Sequence, residues 1–583
     1  MTYVFNTPSD FASEAVRGLA AANPDALLHV PGGVVRADRT PAGQPALIVG
    51  GGSGHYPAFA GWVGDGMAHG AVCGNVFASP SASQVYSVAR NAENGGGIIL
   101  GFGNYAGDVL HFGAAAEKLR HEGHDVRILR VSDDIMSNPP ELHRERRGVA
   151  GGLAVFKMTG AAIAAGATLD DAVRLARKAN DATRSVGLAF DGCTMPGSTD
   201  ALFHVEPGTM AVGLGIHGEP GVRDVPIGSA AEIAELLVDG VLAEEPARDG
   251  RSYGGRVAVI LNGLGTVKYE ELFVVYERVA AELAGCGLTV VAPEVGEFVT
   301  SLDMAGLSLT MVFLDEELER LWLAPATAPG YQRSIRAPGE RRTSLWTAAD
   351  EAVPRASVES RALAARIHAA LTELRAVCAE HEDELGRLDA VAGDGDHGNA
   401  MVYGSRGACD AAAAALEAGA GARTLLLRAG SAWSDAAGGT SGALWGAALT
   451  AVGGGFSDDE GADVARVVAT LCSGVEAMHR LGGAEPGEKT LIDAALPFRE
   501  ELLRPGVEPY AALREGVRRA REAAEATASF AAQRGRSRVL GEKSIGTPDP
   551  GATSFALLMA ALSDHLVAGD TGARGSAAVV DTL

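Results

Sequence analysis

The hydrophobic pattern of this chain changes period once, and that change constrains the fold more than any single motif. Before about residue 325, short apolar runs end in glycine-rich turns. Ala46-Leu-Ile-Val49 leads into Gly50-Gly-Gly-Ser-Gly-His55, Gly97-Ile-Ile-Leu100 into a turn ending at Asp108, and Val126-Arg-Ile-Leu-Arg-Val131 into Ser132-Asp-Asp134. Each reads as a buried strand with a polar turn at its carboxyl end, the pattern of an α/β sheet. Helical stretches over 114–122 and 151–165 alternate with them. A second α/β portion carries strand candidates at 257–261, 288–292 and 309–314. Beyond about 356 strand candidates nearly vanish. Ala-rich helices follow over 360–380, 408–417, 421–434, 441–453, 462–480, 508–529 and 552–568, the pattern of an all-helical bundle. The expected division is an α/β region over 1–325, with subdomains of about 1–185 and 186–325, a linker over 326–355, and an all-α domain over 356–583. The linker assignment rests on four prolines (325, 329, 338 and 354) and a run of arginines.

At 583 residues with 47% apolar content, several well-packed domains are expected. A formal charge of −24 argues against nucleic-acid or anionic-membrane partners, which need basic surfaces. It leaves room for a nucleotide, whose site needs only local positive charge and a cation. The six scattered cysteines contain no Cys-x-x-Cys pair, which favours free thiols in a reducing compartment. No basic region followed by an apolar run opens the chain, and no segment reads as a membrane span. The expectation is a cytoplasmic protein.

Leu388-Asp-Ala-Val-Ala-Gly-Asp-Gly-Asp-His-Gly-Asn399 places Asp389, Asp394 and Asp396 in one short segment. Carboxylates this close repel unless a cation or a proton relieves them. Hard oxygen ligands with little bulk between them suit Mg2+, which takes further ligands from nucleotide phosphates. A solvated acidic turn uses the same residue types. A calcium EF-hand counted from Asp394 fails, because Asn399 stands at position six and Ser405 at position twelve.

Two generic nucleotide motifs fail on context. Gly213-Leu-Gly-Ile-His-Gly218 is followed by Glu219-Pro220-Gly221 where a dinucleotide fold needs a helix. Gly482-Gly-Ala-Glu-Pro-Gly487 has its lysine, Lys489, one residue late for a phosphate loop. Ala437-Gly-Gly-Thr-Ser-Gly442 is better placed. It opens a helix, with Gly438, Gly439, Thr440 and Ser441 offering N–H groups and hydroxyls to phosphate oxygens, or serving as an ordinary N-cap. Arg536 offers a cation, and the turn holding Asp549 and Gly551 can close over a base. In the first half, Gly52, Ser53 and His55 can hug a small polar ligand, with Asp108 and His217 as further candidates.

Taken together these segments resemble the dihydroxyacetone kinase family in its fused, ATP-dependent form. Gly50–Pro57, Ala71–Pro80, Asn104–Asp108, Arg147–Gly151, Gly215–Pro220 and Ser301–Thr310 are similar to its substrate-binding half. Gly393–Gly398, Gly438–Gly442, Lys489–Asp493 and Asp549–Ala552 are similar to its nucleotide-binding half. The resemblance implies a ketose held as a covalent hemiaminal on His217, with Asp108 taking the proton from a terminal hydroxyl and His55 assisting. It implies a substrate pocket including Gly52, Ser53 and Gly103. It also implies ATP at His397, Gly438, Gly439, Thr440, Ser441, Arg536, Asp549 and Gly551, with Mg2+ on the three aspartates. A homodimer is expected on the same ground. Alternatives within the resemblance are a lyase that cyclises FAD and a ketose-binding regulator.

Two positions depart from the family. Gly103 stands where a lysine is usual, and Tyr56 where a glutamate is usual. Loss of the lysine is expected to open space for an extra hydroxymethyl group, with Tyr56 as a new donor or packing surface. Erythrulose is then favoured beside dihydroxyacetone as substrate.

Overall fold

The structure, a computed structural model, describes residues 4–248, 253–334, 339, 342, 353–534 and 541–580, with side chains to 568. It divides into two compact units, Met1–Glu340 and Arg341–Leu583.

In the first unit the strands are β1 (Leu27–Val30), β2 (Gly33–Arg36), β3 (Ala46–Ser53), β4 (Gly70–Val76), β5 (Ile98–Gly103), β6 (Val126–Val131), β7 (Thr183–Asp191), β8 (Thr209–Val212), β9 (Arg223–Pro226), β10 (Arg256–Gly263), β11 (Thr289–Val290), β12 (Glu294–Gly296), β13 (Ala305–Leu314), β14 (Ala326–Ala328) and β15 (Tyr331–Arg333). The helices are α1 (Phe11–Ala22), α2 (Ala82–Ala92), α3 (Ala106–His121), α4 (Gly151–Ala164), α5 (Leu169–Asp181), α6 (Ala230–Leu242), α7 (Tyr269–Gly285) and α8 (Glu316–Leu323). One sheet runs β1-β2-β4-β3-β5-β6, and β3 pairs in parallel with both β4 and β5. Ala46 to Val49 are fully buried, because both faces of a parallel sheet are covered. β3 runs on through the glycines to Ser53, so the expected glycine turn begins as strand.

The second sheet runs β11-β10-β13-β7-β8-β9, with β12 also on β10. Its long central pairings, β10 with β13 and β13 with β7, are antiparallel. The candidate at 288–292 yields only the two-residue β11. The two sheets share one core through α4, which is buried on all sides from Gly151 to Ile163. A helix apolar around its whole circumference has no solvent face to offer. Leu47 and Ile99 of the first sheet join Ile260 and Val312 of the second in this core. Lys157, also in α4, donates to the Ala324 carbonyl at 2.7 Å and to that of Leu321, capping the end of α8.

The expected linker over 326–355 needs correction at its start. β14 and β15 form a hairpin with Ala326, Ala328 and Tyr331 buried. Pro325 and Pro329 lie just outside its strands, where no ladder N–H is needed. Arg333 stacks over Trp322 at 4.3 Å and pairs with Glu294, pinning the hairpin to the first unit. Residues 335–338, 340–341 and 343–352 lie outside the described residues.

The second unit is helical among its described residues: α9 (Val358–Glu380), α10 (Glu382–Ala390), α11 (His397–Glu417), α12 (Ala422–Ala437), α13 (Gly439–Gly454), α14 (Val464–Gly482), α15 (Leu491–Leu502), α16 (Pro509–Ala526) and α17 (Pro550–Val580). Trp433, Trp445 and Phe555 stack in its core at 5.5 and 6.1 Å. Two helices escape the sequence reading. α10 is short and opens with Glu382, Asp383 and Glu384, and α15 contains Pro497. The expectation that no segment is long and apolar enough for a membrane span is also corrected. Residues Pro550–Ala568 of α17 meet that test by length and composition. Ala552, Phe555, Ala556, Leu558, Met559 and Ala560 of this stretch belong to the core, so its apolarity has a partner within the unit.

Candidate active site

Parallel pairing brings the carboxyl ends of β3 and β5 side by side, and one cavity there is lined by Gly52, His55, Gly103, Tyr105, Asp108 and His217. Ser53, predicted with them, is not in the lining. Its hydroxyl donates to the Gly74 carbonyl at 2.7 Å and ties β3 to β4.

His55 is 2% exposed, and its Nδ1 lies 2.7 Å from the Thr300 carbonyl. A carbonyl only accepts, so Nδ1 carries the hydrogen and Nε2 is left as an acceptor. Burial, then the neighbouring His217, hold the His55 pKa down at about 3, so the ring stays neutral. His55 Nε2 faces His217 Nε2 at 3.1 Å, while His217 Nδ1 faces Glu219 Oε1 at 3.0 Å. His217 is therefore flanked by two acceptors.

Burial would raise the Glu219 carboxyl, but hydrogen bonds from His217 and its charge outweigh this and hold it at about 2. Arg147 Nη1 stands 3.9 Å behind Glu219 and is itself paired with Asp134 at 2.7 Å. This approach requires Gly215, because a Cβ there would lie 2.1 Å from Glu219 Oε2. Three rings grip His217 edge-on, with centroids at 4.9 Å (His55), 5.4 Å (Phe77) and 4.7 Å (Tyr105). Ser301 donates to the Ile216 carbonyl at 2.6 Å and anchors its loop.

Asp108 sits in the first turn of α3 and is 5% exposed. Its Oδ1 is buried without a hydrogen-bond partner, and burial, opposed by a hydrogen bond with Ser79, raises its pKa to about 6. A buried carboxylate with an unused lone pair is suited to accept a proton near neutral pH. Ser79, Thr300 and Glu219 were not singled out from sequence, although all lie in or beside motifs carrying the family resemblance.

The space expected at Gly103 is filled. A Cβ at that position would lie 2.9 Å from the Tyr105 ring and 3.2 Å from the Gly148 carbonyl oxygen. A side chain at 103 would meet the Tyr105 ring at its first carbon, so the wall there is closer than the sequence implies. Tyr56 is 51% exposed and lines a separate groove against α1, outside this cavity.

In the helical unit, carboxylate oxygens of Asp389, Asp394 and Asp396 lie within 4.8 Å of one another. Asp389, at the end of α10, accepts from the Gly395 N–H at 2.9 Å and bends the loop back on itself. This all-oxygen donor set fits a hard divalent cation such as Mg2+. His397 follows at the start of α11. Its Nδ1 meets the Ser441 hydroxyl of α13 at 3.2 Å, and its Nε2 the Ser554 hydroxyl of α17 at 3.0 Å. Three helix N-termini therefore converge beside the carboxylates, an arrangement that favours an anion.

Gly438 and Gly439, both at positive φ, have open space where a Cβ would be, and Thr440 is exposed. Asp549 Oδ2 accepts from the Ala552 N–H at 2.7 Å, and burial raises its pKa to about 7. Gly551 lies against that carboxylate, where a Cβ would approach to 3.0 Å. Arg536 lies outside the described residues.

A helical unit with a carboxylate cluster beside three helix N-termini, fused to an α/β unit with a histidine and a buried carboxylate in one cavity, has the parts that a phosphotransferase needs. Residues 17–330 match the Dak1 domain and residues 391–564 the DAK2 domain. Over 97% of its length the chain is 68% identical to the whole of an L-erythrulose 1-kinase of Mycolicibacterium smegmatis. It is 53% identical to an L-erythrulose kinase of Pectobacterium atrosepticum, covering 97% of this chain and 96% of that one. The dihydroxyacetone kinase of C. freundii, crystallised with AMP-PNP and Mg2+, matches with a TM-score of 0.59 and 31% identity, over 97% of this chain and 99% of the other. The chain belongs to the dihydroxyacetone kinase family, in its fused form, and is an ATP-dependent kinase.

Proposed function

We propose that this kinase phosphorylates a terminal hydroxyl of L-erythrulose, captured first on His217. The observation that carries the reading is one cavity holding both His217 and a buried Asp108 with an unused lone pair. The full-length likeness to an L-erythrulose 1-kinase supports the choice of sugar.

The residues divide the work as follows. The proton on His217 Nε2 passes to His55 Nε2, 3.1 Å away, which frees a lone pair on His217. That nitrogen adds to the ketone carbon while the carbonyl π bond breaks. The resulting alkoxide takes the proton back from His55, giving a hemiaminal hydroxyl and leaving the ring as an imidazolium whose charge Glu219 balances. Glu219 holds Nδ1–H, so the attacking nitrogen is Nε2. Polyols have no carbonyl and escape capture. Asp108 accepts the proton of the terminal hydroxyl as that oxygen attacks the γ-phosphorus of ATP, the bond from phosphorus to the β,γ-bridging oxygen breaks, and ADP leaves.

Asp389, Asp394 and Asp396 would hold Mg2+. The N-terminal turns of α11, α13 and α17, with Gly438, Gly439, Thr440 and Ser441, would hold the phosphates, and Asp549 and Gly551 the rest of the nucleotide. Bound Mg2+ neutralises phosphate charge during transfer. Two copies pairing through the substrate unit complete the reading, on the family resemblance, and the mass in solution tests that part.

A coupled ADP-release assay over L-erythrulose, D-erythrulose, dihydroxyacetone and glycerol tests the substrate. The highest kcat/KM should belong to L-erythrulose. A tenfold preference for dihydroxyacetone, about 1.4 kcal/mol in transition-state binding, would overturn it.

A further inference from the structure

Lys489 fails as a phosphate-loop lysine in sequence, yet it is 6% exposed and adopts a left-handed backbone, φ 60°. A buried ammonium and a positive φ on a non-glycine residue are both costly, and they persist where the surrounding structure demands them. The cause is visible at Nζ. It donates to the carbonyls of Phe530 at 3.1 Å, Ser544 at 2.5 Å and Thr547 at 2.7 Å. All three donor positions of the ammonium are thus used on backbone oxygens between α16 and α17.

Two further ties converge on the same place. Asp549 donates its N–H to the buried Thr527 hydroxyl at 2.8 Å. Asp493 accepts from the Thr490 N–H at 2.7 Å and the Gly487 N–H at 2.5 Å, which fixes the loop that carries Lys489. Lys489 is thus the one side chain here that holds three carbonyls of the described segments between α16 and α17 at a single point, with Thr527 as a second anchor.

We infer that Lys489 is a positioning residue for the nucleotide site. It draws three carbonyls to one point and so sets where Asp549, Gly551 and Ser554 stand relative to His397. The inference rests on the proposed nucleotide role of those residues. It touches no reacting atom, so its loss should weaken nucleotide binding and leave ketose capture intact.

The test is steady-state kinetics on the full chain with MgATP and L-erythrulose varied separately. Lys489→Gly removes the ammonium while tolerating φ 60°, which separates the charge from the backbone strain. The expected result is a rise of about tenfold or more in KM for ATP, with KM for the ketose within about twofold of wild type. Lys489→Arg, which keeps a cation, should recover most of the ATP affinity. Unchanged KM for ATP in a folded Lys489→Gly protein, with only a lower Tm, would overturn the inference. Should Lys489→Gly not fold, Lys489→Asn, which also lacks the cation and tolerates a left-handed backbone, decides: a selective rise in KM for ATP supports the role, and a lower Tm with both KM values unchanged contradicts it. A wild type that turns over no ketose with MgATP would sink the proposed function instead, before any variant is measured.

Discussion

His55 Nε2 and His217 Nε2 face each other at 3.1 Å, and each ring's other nitrogen is already committed, to the Thr300 carbonyl and to Glu219. Only one proton fits between the two Nε2 atoms. Replacing His55 with alanine removes the acceptor for that proton. Adduct formation should slow by about 10²-fold or more, within the range for a positioned acid–base group. Stopped-flow or quenched-flow mass measurement of the adduct reads it. An unaltered rate would show that His217 loses its proton elsewhere.

Asp108 sets the acid side of the pH profile. Its carboxyl is raised to about 6 by burial, so the proton-accepting form dominates only above that pH. kcat should rise with pH through about 6 and then level off. Asp108→Asn should remove this limb along with most turnover, while ketose capture on His217 survives. A profile that is flat from pH 5 to 8 would contradict the assignment.

Glu219 links the site to stability. Its pKa is depressed in the folded chain, to about 2 from an ordinary 4.5. Its contribution is thus fully present above about pH 4.5 and lost as pH falls through about 2. Glu219→Gln should flatten the acid side of the stability curve over that window and lower kcat/KM for ketose at neutral pH by about tenfold. Denaturant melts between pH 2 and 5 check the first part. A wild-type slope retained in the variant would place the linked proton on another group.

Much of this was legible in the sequence because it is local. The buried runs of β3, β5 and β6, the acidic loop at 389–396 and the glycines at 438–439 each carry their signal in a few consecutive residues. What was missed depends on partners distant in the chain. Thr300 matters because it lies against His55, and Ser79 because it reaches Asp108. The filled wall at Gly103 is a fact about Tyr105 and Gly148, which no reading of position 103 alone supplies. Pro325 and Pro329 read as linker because a hairpin flanked by prolines has the same composition as an exposed segment.

Gly103 gives a prediction of its own. A methyl group there would meet the Tyr105 ring at 2.9 Å, and that ring already packs edge-on against His217 with centroids 4.7 Å apart. Gly103→Ala should displace Tyr105 towards His217 and cost about tenfold in kcat/KM, about 1.4 kcal/mol, for either ketose. Gly103→Lys should lose activity rather than convert the enzyme to dihydroxyacetone. A Gly103→Lys variant that prefers dihydroxyacetone would restore the view of position 103 as vacant space.

The central claim is a division of labour: the sugar is captured on His217 in one unit, and the metal is held by Asp389, Asp394 and Asp396 in the other. Intact-mass spectrometry with erythrulose and no ATP tests it most directly, on wild type, His217→Ala and Asp396→Asn. Wild type and Asp396→Asn should each gain the mass of one ketose, and His217→Ala none, although Asp396→Asn turns over no ATP. An adduct that persists in His217→Ala, or disappears in Asp396→Asn, would contradict the account.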